Sequence, residues 1–297
     1  MPPKTAKDEQ VSQIISSAKD EAQQIDQIAS VRGWFRPGED SSYYPAVQSY
    51  AEGKADLSSI LTQITPPINE ALAANKSSEV DWLDLWYSII HASKRIPYRD
   101  HEKHTKLVEL VKSLKQDLKG PGLEQKEEDS STNLPNFGMA IREAANDCPG
   151  CGAGYTEPEA AAWANYNYFL ATLTANSVFE IPIYAIWALR DALEDEHSEN
   201  ETGWTEYDAH VPAAAAWVFA MGNKLHDREE DLTPTNPNQG NPGRGGKLWQ
   251  GGPVFSKERW SFWKNRFGEI SELKGVKEIT REVAKEAFEF MKKVEKE

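Results

Sequence analysis

Apolar residues along this chain recur at steps of three and four, the spacing that places them on one face of a 3.6-residue helical period. The pattern is densest between Thr156 and Leu225, where it predicts three successive helices. Thr156 and Glu159 have the spacing of a capping box, and Pro158 fits a first helical turn, so the first of the three is predicted to begin there. Trp163, Tyr166, Leu170 and Leu173 follow as its core stripe. Thr174 to Ser177 interrupt the pattern and Pro182 lacks a backbone N–H, which predicts a second helix from near Ile181 to about Glu196. Ile183, Trp187 and Arg190 follow one line along it and Ile186, Leu189 and Leu193 the adjacent line, a surface wide enough to predict a central position. The third helix is predicted to begin between Asp208 and Pro212. It carries Ala213 to Ala216, whose minimal side chains let a neighbouring backbone approach closely, and then Trp217, Val218, Phe219, Met221 and Leu225.

The same spacing organises the rest. Val11, Ile14, Ala18, Ala22, Ile25 and Ile28 form an amphipathic stripe that ends before Gly33, predicting an N-terminal outer helix within residues 1–36. Residues 37–297 then make up the main helical domain. Tyr43, Val47 and Tyr50 mark a short helix, and Leu57, Ile60, Leu61 and Ile64 another that Pro66 and Pro67 are predicted to break. Ser78 is the predicted cap for a helix bearing Trp82, Leu85, Trp86, Ile89 and Ile90, and Leu107, Val111, Leu114 and Leu118 trace the next. Residues 120–134 are too polar to bury and read as a surface linker, before a helix with Phe137, Ala140, Ile141 and Ala144. Residues 229–253 are rich in Thr, Pro, Asn and Gly and read as a long mobile loop, with residues 234–246 dispensable to the core. Ser256 caps a helix with Trp260, Trp263, Phe267 and Ile270, and Val283, Ala287, Phe290, Met291 and Val294 line the last. No stretch alternates with period two, so the expected fold is all-α: one multi-helix domain of about ten helices, bundle-like or stacked in pairs.

Charge narrows the function classes. The 297 residues carry a formal net charge of −14, which repels phosphate backbones and anionic membranes, so neither nucleic acid nor membrane is an expected partner. The first residues are polar, without the apolar stretch of a secretory signal, and the expected location is cytoplasmic.

Candidate chemistry is sparse. Cys148-Pro-Gly-Cys151 has the two-residue spacer that aims two thiolates at one zinc ion or forms a redox dithiol. These are the only two Cys, and His101 with His104 is the only other pair at usable spacing, so the expectation is no metal and a reduced surface turn. Glu194-x-x-His197 is half of a di-iron helix signature with no second half and reads as a solvated helix end. Gly240 to Lys247 has Leu248 where a phosphate-binding loop needs Ser or Thr, which rejects that reading. The ten Trp fall mostly on core positions. Arg190 lies on an apolar line and needs an acceptor, and Asn165 and Asn167 bring amides from the preceding helix. The three residues are therefore candidates either for a buried polar network or for a ligand-binding pocket floor.

Four segments carry a resemblance: Trp163-Ala-Asn165-Tyr-Asn167-Tyr-Phe169, Tyr184 to Glu194, Val211 to Trp217, and Phe255 to Phe267 with its Arg259, Trp260, Trp263 and Arg266. Together they resemble a fungal family of proteins of unknown function (domain of unknown function 3632), from about Phe137 to Phe267. The resemblance implies a fungal origin and a helical intracellular protein, and it brings no activity, cofactor or substrate. Neither the Cys pair nor the Pro/Gly loop belongs to the family pattern. Two functional readings follow. One is a non-catalytic binding or scaffold protein with an unidentified protein or small-molecule partner and no cofactor. The other is an enzyme or small-molecule binder with a polar pocket at Asn165, Asn167 and Arg190.

Overall fold

The structure, a computed structural model, describes residues 5–36, 41–118, 134–236, 238 and 240–297. The predicted linker at 120–134 lies outside the described residues except for Leu134, which is buried. The chain is all-α, with thirteen α-helices and one two-stranded sheet among the described residues. None of these helices is long and apolar enough to cross a membrane. The helices gather into two compact units, Pro2–Gly154 with Asn176–Glu180 and Tyr155–Ala175 with Ile181–Glu297.

The first unit contains α1 (Ala6–Ser17), α2 (Glu21–Arg32), α3 (Tyr44–Ala51), α4 (Leu57–Ala73), α5 (Trp82–Arg95), α6 (His101–Asp117) and α7 (Phe137–Ala145). The N-terminal stripe is split into α1 and α2, because Asp20 caps a new helix by accepting from the Gln23 N–H; α2 then ends at Gly33 in the left-handed region, φ +85°. Asp81, not Ser78, caps α5. Pro66 and Pro67 do not break α4. Both lie on its exposed side, where the carbonyls they leave without a helical partner meet water, while Ile60, Ile64, Ile68 and Leu72 hold the opposite face in the core.

The second unit contains α8 (Glu157–Ala175), α9 (Ile183–Leu189), α10 (Glu201–Met221), α11 (Asn223–His226), α12 (Lys257–Ser271) and α13 (Glu278–Val294), with β1 (Glu230–Asp231) paired antiparallel to β2 (Val254–Phe255). Thr156 donates its hydroxyl to the Glu159 carboxylate at 2.7 Å and its N–H to the same oxygen at 3.3 Å, so the predicted start of α8 stands. Every residue of α8 from Ala162 to Thr174 is buried, which makes α8 the central helix, whereas α9 keeps Ile183, Tyr184 and Trp187 half-buried. Helix α10 packs most extensively on α8, with Ala213 to Ala216 fully buried, as their small size predicts. It begins seven residues ahead of the predicted window, at an Asn200 cap, and runs through Pro212. Helices α12 and α13 pair, and α13 also packs on α10.

Candidate functional site

Helix α8 brings Asn165 and Asn167 into the core of the second unit, each almost fully buried. Asn167 bridges two tryptophans: its amide donates to the Trp163 carbonyl at 2.9 Å and its carbonyl accepts from Trp217 Nε1 at 2.8 Å. Arg190 stands at the end of α9 with its side chain 15% exposed, and its Nε lies 3.4 Å from the neighbouring Asp191 carboxylate. Burial raises the Asp191 carboxyl above the ordinary carboxylate range despite Arg190 beside it. Arg190 thus has a local acidic partner, and the bonds of Asn167 run to α8 and α10.

Glu194 is a fully buried charge. The chain continues from α9 into one π-turn, Arg190–Glu194, which carries the Glu194 side chain inward; with zero exposure, it is not the solvated helix end its sequence suggested. Its carboxylate accepts four hydrogen bonds. Arg259 Nε and Trp263 Nε1 reach Oε1 at 2.7 and 2.6 Å, and Arg259 Nη2 and the Gly246 N–H reach Oε2, both at 2.9 Å. Arg259 and Trp263 stand one turn apart on α12, which is why one carboxylate meets both. Arg259 Nη1 donates to the Gly243 carbonyl at 3.0 Å and the Val254 carbonyl at 2.9 Å, and Nη2 also approaches the Arg244 carbonyl at 3.4 Å. The guanidinium, unexposed, has acceptors for all five of its N–H groups. Arg266, two turns from Arg259, donates through Nε to the Leu193 carbonyl at 3.1 Å and through Nη2 to the Tyr207 hydroxyl at 3.0 Å.

Hydrogen bonds tie much of the segment read as a loop, 229–253, to its surroundings. The Leu248 N–H donates to the Glu194 carbonyl at 2.7 Å, Trp187 Nε1 to the Pro242 carbonyl at 2.9 Å, and the Leu232 N–H to the Pro253 carbonyl at 2.8 Å, so the second half of the loop is strapped to α9, the π-turn and α12. Gly246 is required there, because a Cβ would stand 2.5 Å from the Glu194 carbonyl carbon and 2.6 Å from its oxygen. Spacing could have raised Arg259 and Trp263 as a pair, but no local signal links them to a Glu 65 and 69 residues away.

In the first unit, Cys148 and Cys151 lie in a turn after α7, Cys148 partly buried and Cys151 exposed. The Cys151 N–H donates to the Cys148 carbonyl at 3.0 Å, with Pro149 and Gly150 (φ +84°) as the turn's middle residues. His104 is buried with its Nε2 3.0 Å from the Ile96 carbonyl, and among the described residues no group of three His, Cys, Asp or Glu could hold a metal ion. Beside this turn lies a shallow recess with room for about one water molecule, walled by Trp34, Phe35, Tyr87, Ile90, His91, Lys94, Ala144 and Asp147. Lys94 and Asp147 form a 2.6 Å ion pair on its wall, and burial raises the Asp147 carboxyl even so. The polar groups of the chain therefore fall into separate sites, and Asn165, Asn167 and Arg190 are not part of this recess.

No curated protein and no solved structure matches the chain. A family model described as "Protein of unknown function (DUF3632)" does match, over residues 86–267. The match opens at Trp86 in α5, earlier than the sequence motifs suggested, and closes at Phe267, just past Arg266 on α12. Spanning more than half of the chain and enclosing Glu194, Arg259 and Trp263, it shows that the chain belongs to the DUF3632 family.

Proposed function

We propose that this protein works by binding, as a helical scaffold, and not by catalysis. The saturation of the Glu194–Arg259 centre carries the reading. A catalytic carboxylate or guanidinium needs a lone pair or an N–H to offer a substrate, whereas this carboxylate already accepts four bonds and this guanidinium donates all five. The residues that carry the family resemblance are thus engaged in holding α12, the π-turn and the 241–254 strap together. Asn167, tied to Trp163 and Trp217, supports the same reading for the polar residues of α8.

Incubating the purified chain with a cell metabolite extract, beside a heat-inactivated control, tests this by mass spectrometry. The expected result is an unchanged extract composition, with any interacting component retained by the protein in unaltered form. Protein-dependent depletion of a component with appearance of a product would overturn it.

A further inference from the structure

The chain has only two cysteines, and the fold places them at the two ends of one turn, Cys148-Pro149-Gly150-Cys151. Pro149 sets the first middle residue and Gly150, at φ +84°, supplies the left-handed second one, which together make a type II turn. The Cys151 N–H closes it on the Cys148 carbonyl at 3.0 Å. Such a turn holds its outer Cα atoms within about 7 Å, and a disulfide spans Cα atoms about 4.4–6.8 Å apart, so the backbone needs little movement to bridge the pair.

The turn is held from both sides. The Ala153 N–H also donates to the Cys148 carbonyl at 3.2 Å, the Gly150 N–H to the Ala153 carbonyl at 3.0 Å, and the Gly152 N–H to the Asn146 carbonyl at 2.8 Å. Trp34, just past α2, donates through Nε1 to the Gly152 carbonyl at 3.2 Å. Gly152 itself has no room for a side chain, since a Cβ would stand 2.5 Å from the Asn146 carbonyl oxygen. The ends of the turn are therefore together before any sulfur bond forms, and closing the ring costs little further chain entropy. Packing does not explain the pair. Cys is ordinarily among the most buried of residues, whereas Cys151 is exposed and Cys148 half-buried. That asymmetry suits sequential exchange, with one sulfur reachable from solvent and the other beside it to resolve an adduct.

We propose that Cys148 and Cys151 form a reversible dithiol–disulfide site whose reaction partner is a low-molecular-weight disulfide. The Cys151 thiolate attacks one sulfur of that partner, forming a mixed disulfide and expelling the first small thiolate. The Cys148 thiolate then attacks Cys151 Sγ, forming the Cys148–Cys151 bond and expelling the second. The two protons lost from the cysteines end on the two expelled thiols, so two protein sulfurs are oxidised as the partner disulfide is reduced. An excess of small thiol reverses both steps, because a bond across an exposed turn is open to its attack. One partner disulfide is consumed per chain. The step is stoichiometric, stands apart from the turnover that the extract experiment reads, and does not depend on the binding reading.

The test uses the full chain, reduced and then equilibrated without oxygen in glutathione buffers of stepped disulfide-to-thiol ratio. N-ethylmaleimide traps the remaining thiols, and mass spectrometry counts adducts on the intact chain and on the peptide holding both cysteines. The expected result is a single conversion from the doubly alkylated chain to one lacking two hydrogens and carrying no adduct, with full reversal in dithiothreitol. Cys148→Ser is expected to stop at a glutathione adduct on Cys151, and Cys151→Ser to take up glutathione at least about tenfold more slowly, because Cys148 is the less exposed sulfur. Equal uptake by the two variants would overturn Cys151 as the attacking sulfur. Persistence of the dithiol at the most oxidising ratio, accumulation of glutathione adducts in place of the internal bond, or bridges only between chains would each overturn the proposal. These three outcomes are read on the unmodified chain, so they hold even where a variant fails to fold.

Discussion

Arg190 and Arg259 stand in the same unit, and their surroundings assign very different consequences to losing them. Arg259 is unexposed and its removal strands a buried carboxylate whose other bonds come from Trp263 and Gly246. Breaking such a pair costs about 3–5 kcal/mol, because the remaining charge stays desolvated without its counter-ion. Arg190 is partly exposed and meets a neighbouring Asp191 at 3.4 Å, a geometry worth at most about 1 kcal/mol. Urea denaturation of Arg259→Leu and Arg190→Leu is therefore expected to show a loss of about 3–5 kcal/mol for the first and less than about 1 kcal/mol for the second. Equal losses would contradict the assignment of Glu194 as the partner that matters.

Among the elements, the strap from Asn241 to Val254 makes contacts that its composition conceals. Gly243 and Arg244 supply carbonyls to Arg259, Gly246 supplies an N–H to Glu194, and Pro242 accepts from Trp187. Hydrogen bonds to charged groups contribute about 1.5–3 kcal/mol each, so removing several at one buried centre affects the whole unit. Deletion of residues 241–246 is expected to lower stability by more than about 3 kcal/mol, read as a shifted melting transition; an unchanged transition would mean that α12 and the π-turn hold without the strap. The prolines teach the reverse lesson at this scale. Pro66 and Pro67 were predicted to break a helix and Pro212 to lie near the start of one, yet α4 and α10 run through them, because burial along one face outweighs the local loss of a hydrogen bond.

For the molecule as a whole, three buried histidines set a pH dependence. Burial holds His104 and His210 at about 4 and His91 also below the ordinary imidazole value of 6.5. Each takes up a proton more readily in the unfolded chain, so its contribution is fully present above pH 6.5 and is lost as the pH falls from there through about 4. A displacement of this size corresponds to about 3 kcal/mol for each of His104 and His210. Asp147 and Asp191 act with the opposite sign, since burial raises their pKa and their protonation on folding relieves a penalty as the pH falls. The histidine effect is expected to dominate, giving a urea midpoint that drops steadily between pH 6.5 and 4. A midpoint flat across that window would remove the neutral buried histidines from this account.

Helix identity and the core faces were legible in the chain because both depend on local periodicity: Trp163, Tyr166, Leu170 and Leu173 on α8, and Trp260, Trp263, Phe267 and Ile270 on α12, are buried as their spacing predicts. A few caps were legible in the local sequence, as at Thr156 and Ser256, while those at Asp20, Asp81 and Asn200 were not. Tertiary structure alone decided which helix is central, how Glu194 is used, and what the Pro/Gly loop holds. It also separated Arg190 from the residues that matter most to the core, and it joined Trp34, His91 and Asp147 around one recess. The physical reason is distance along the chain. A hydrogen bond between residues 65 positions apart leaves no periodic trace, and a charge reads as surface until the partner that desolvates it is in place.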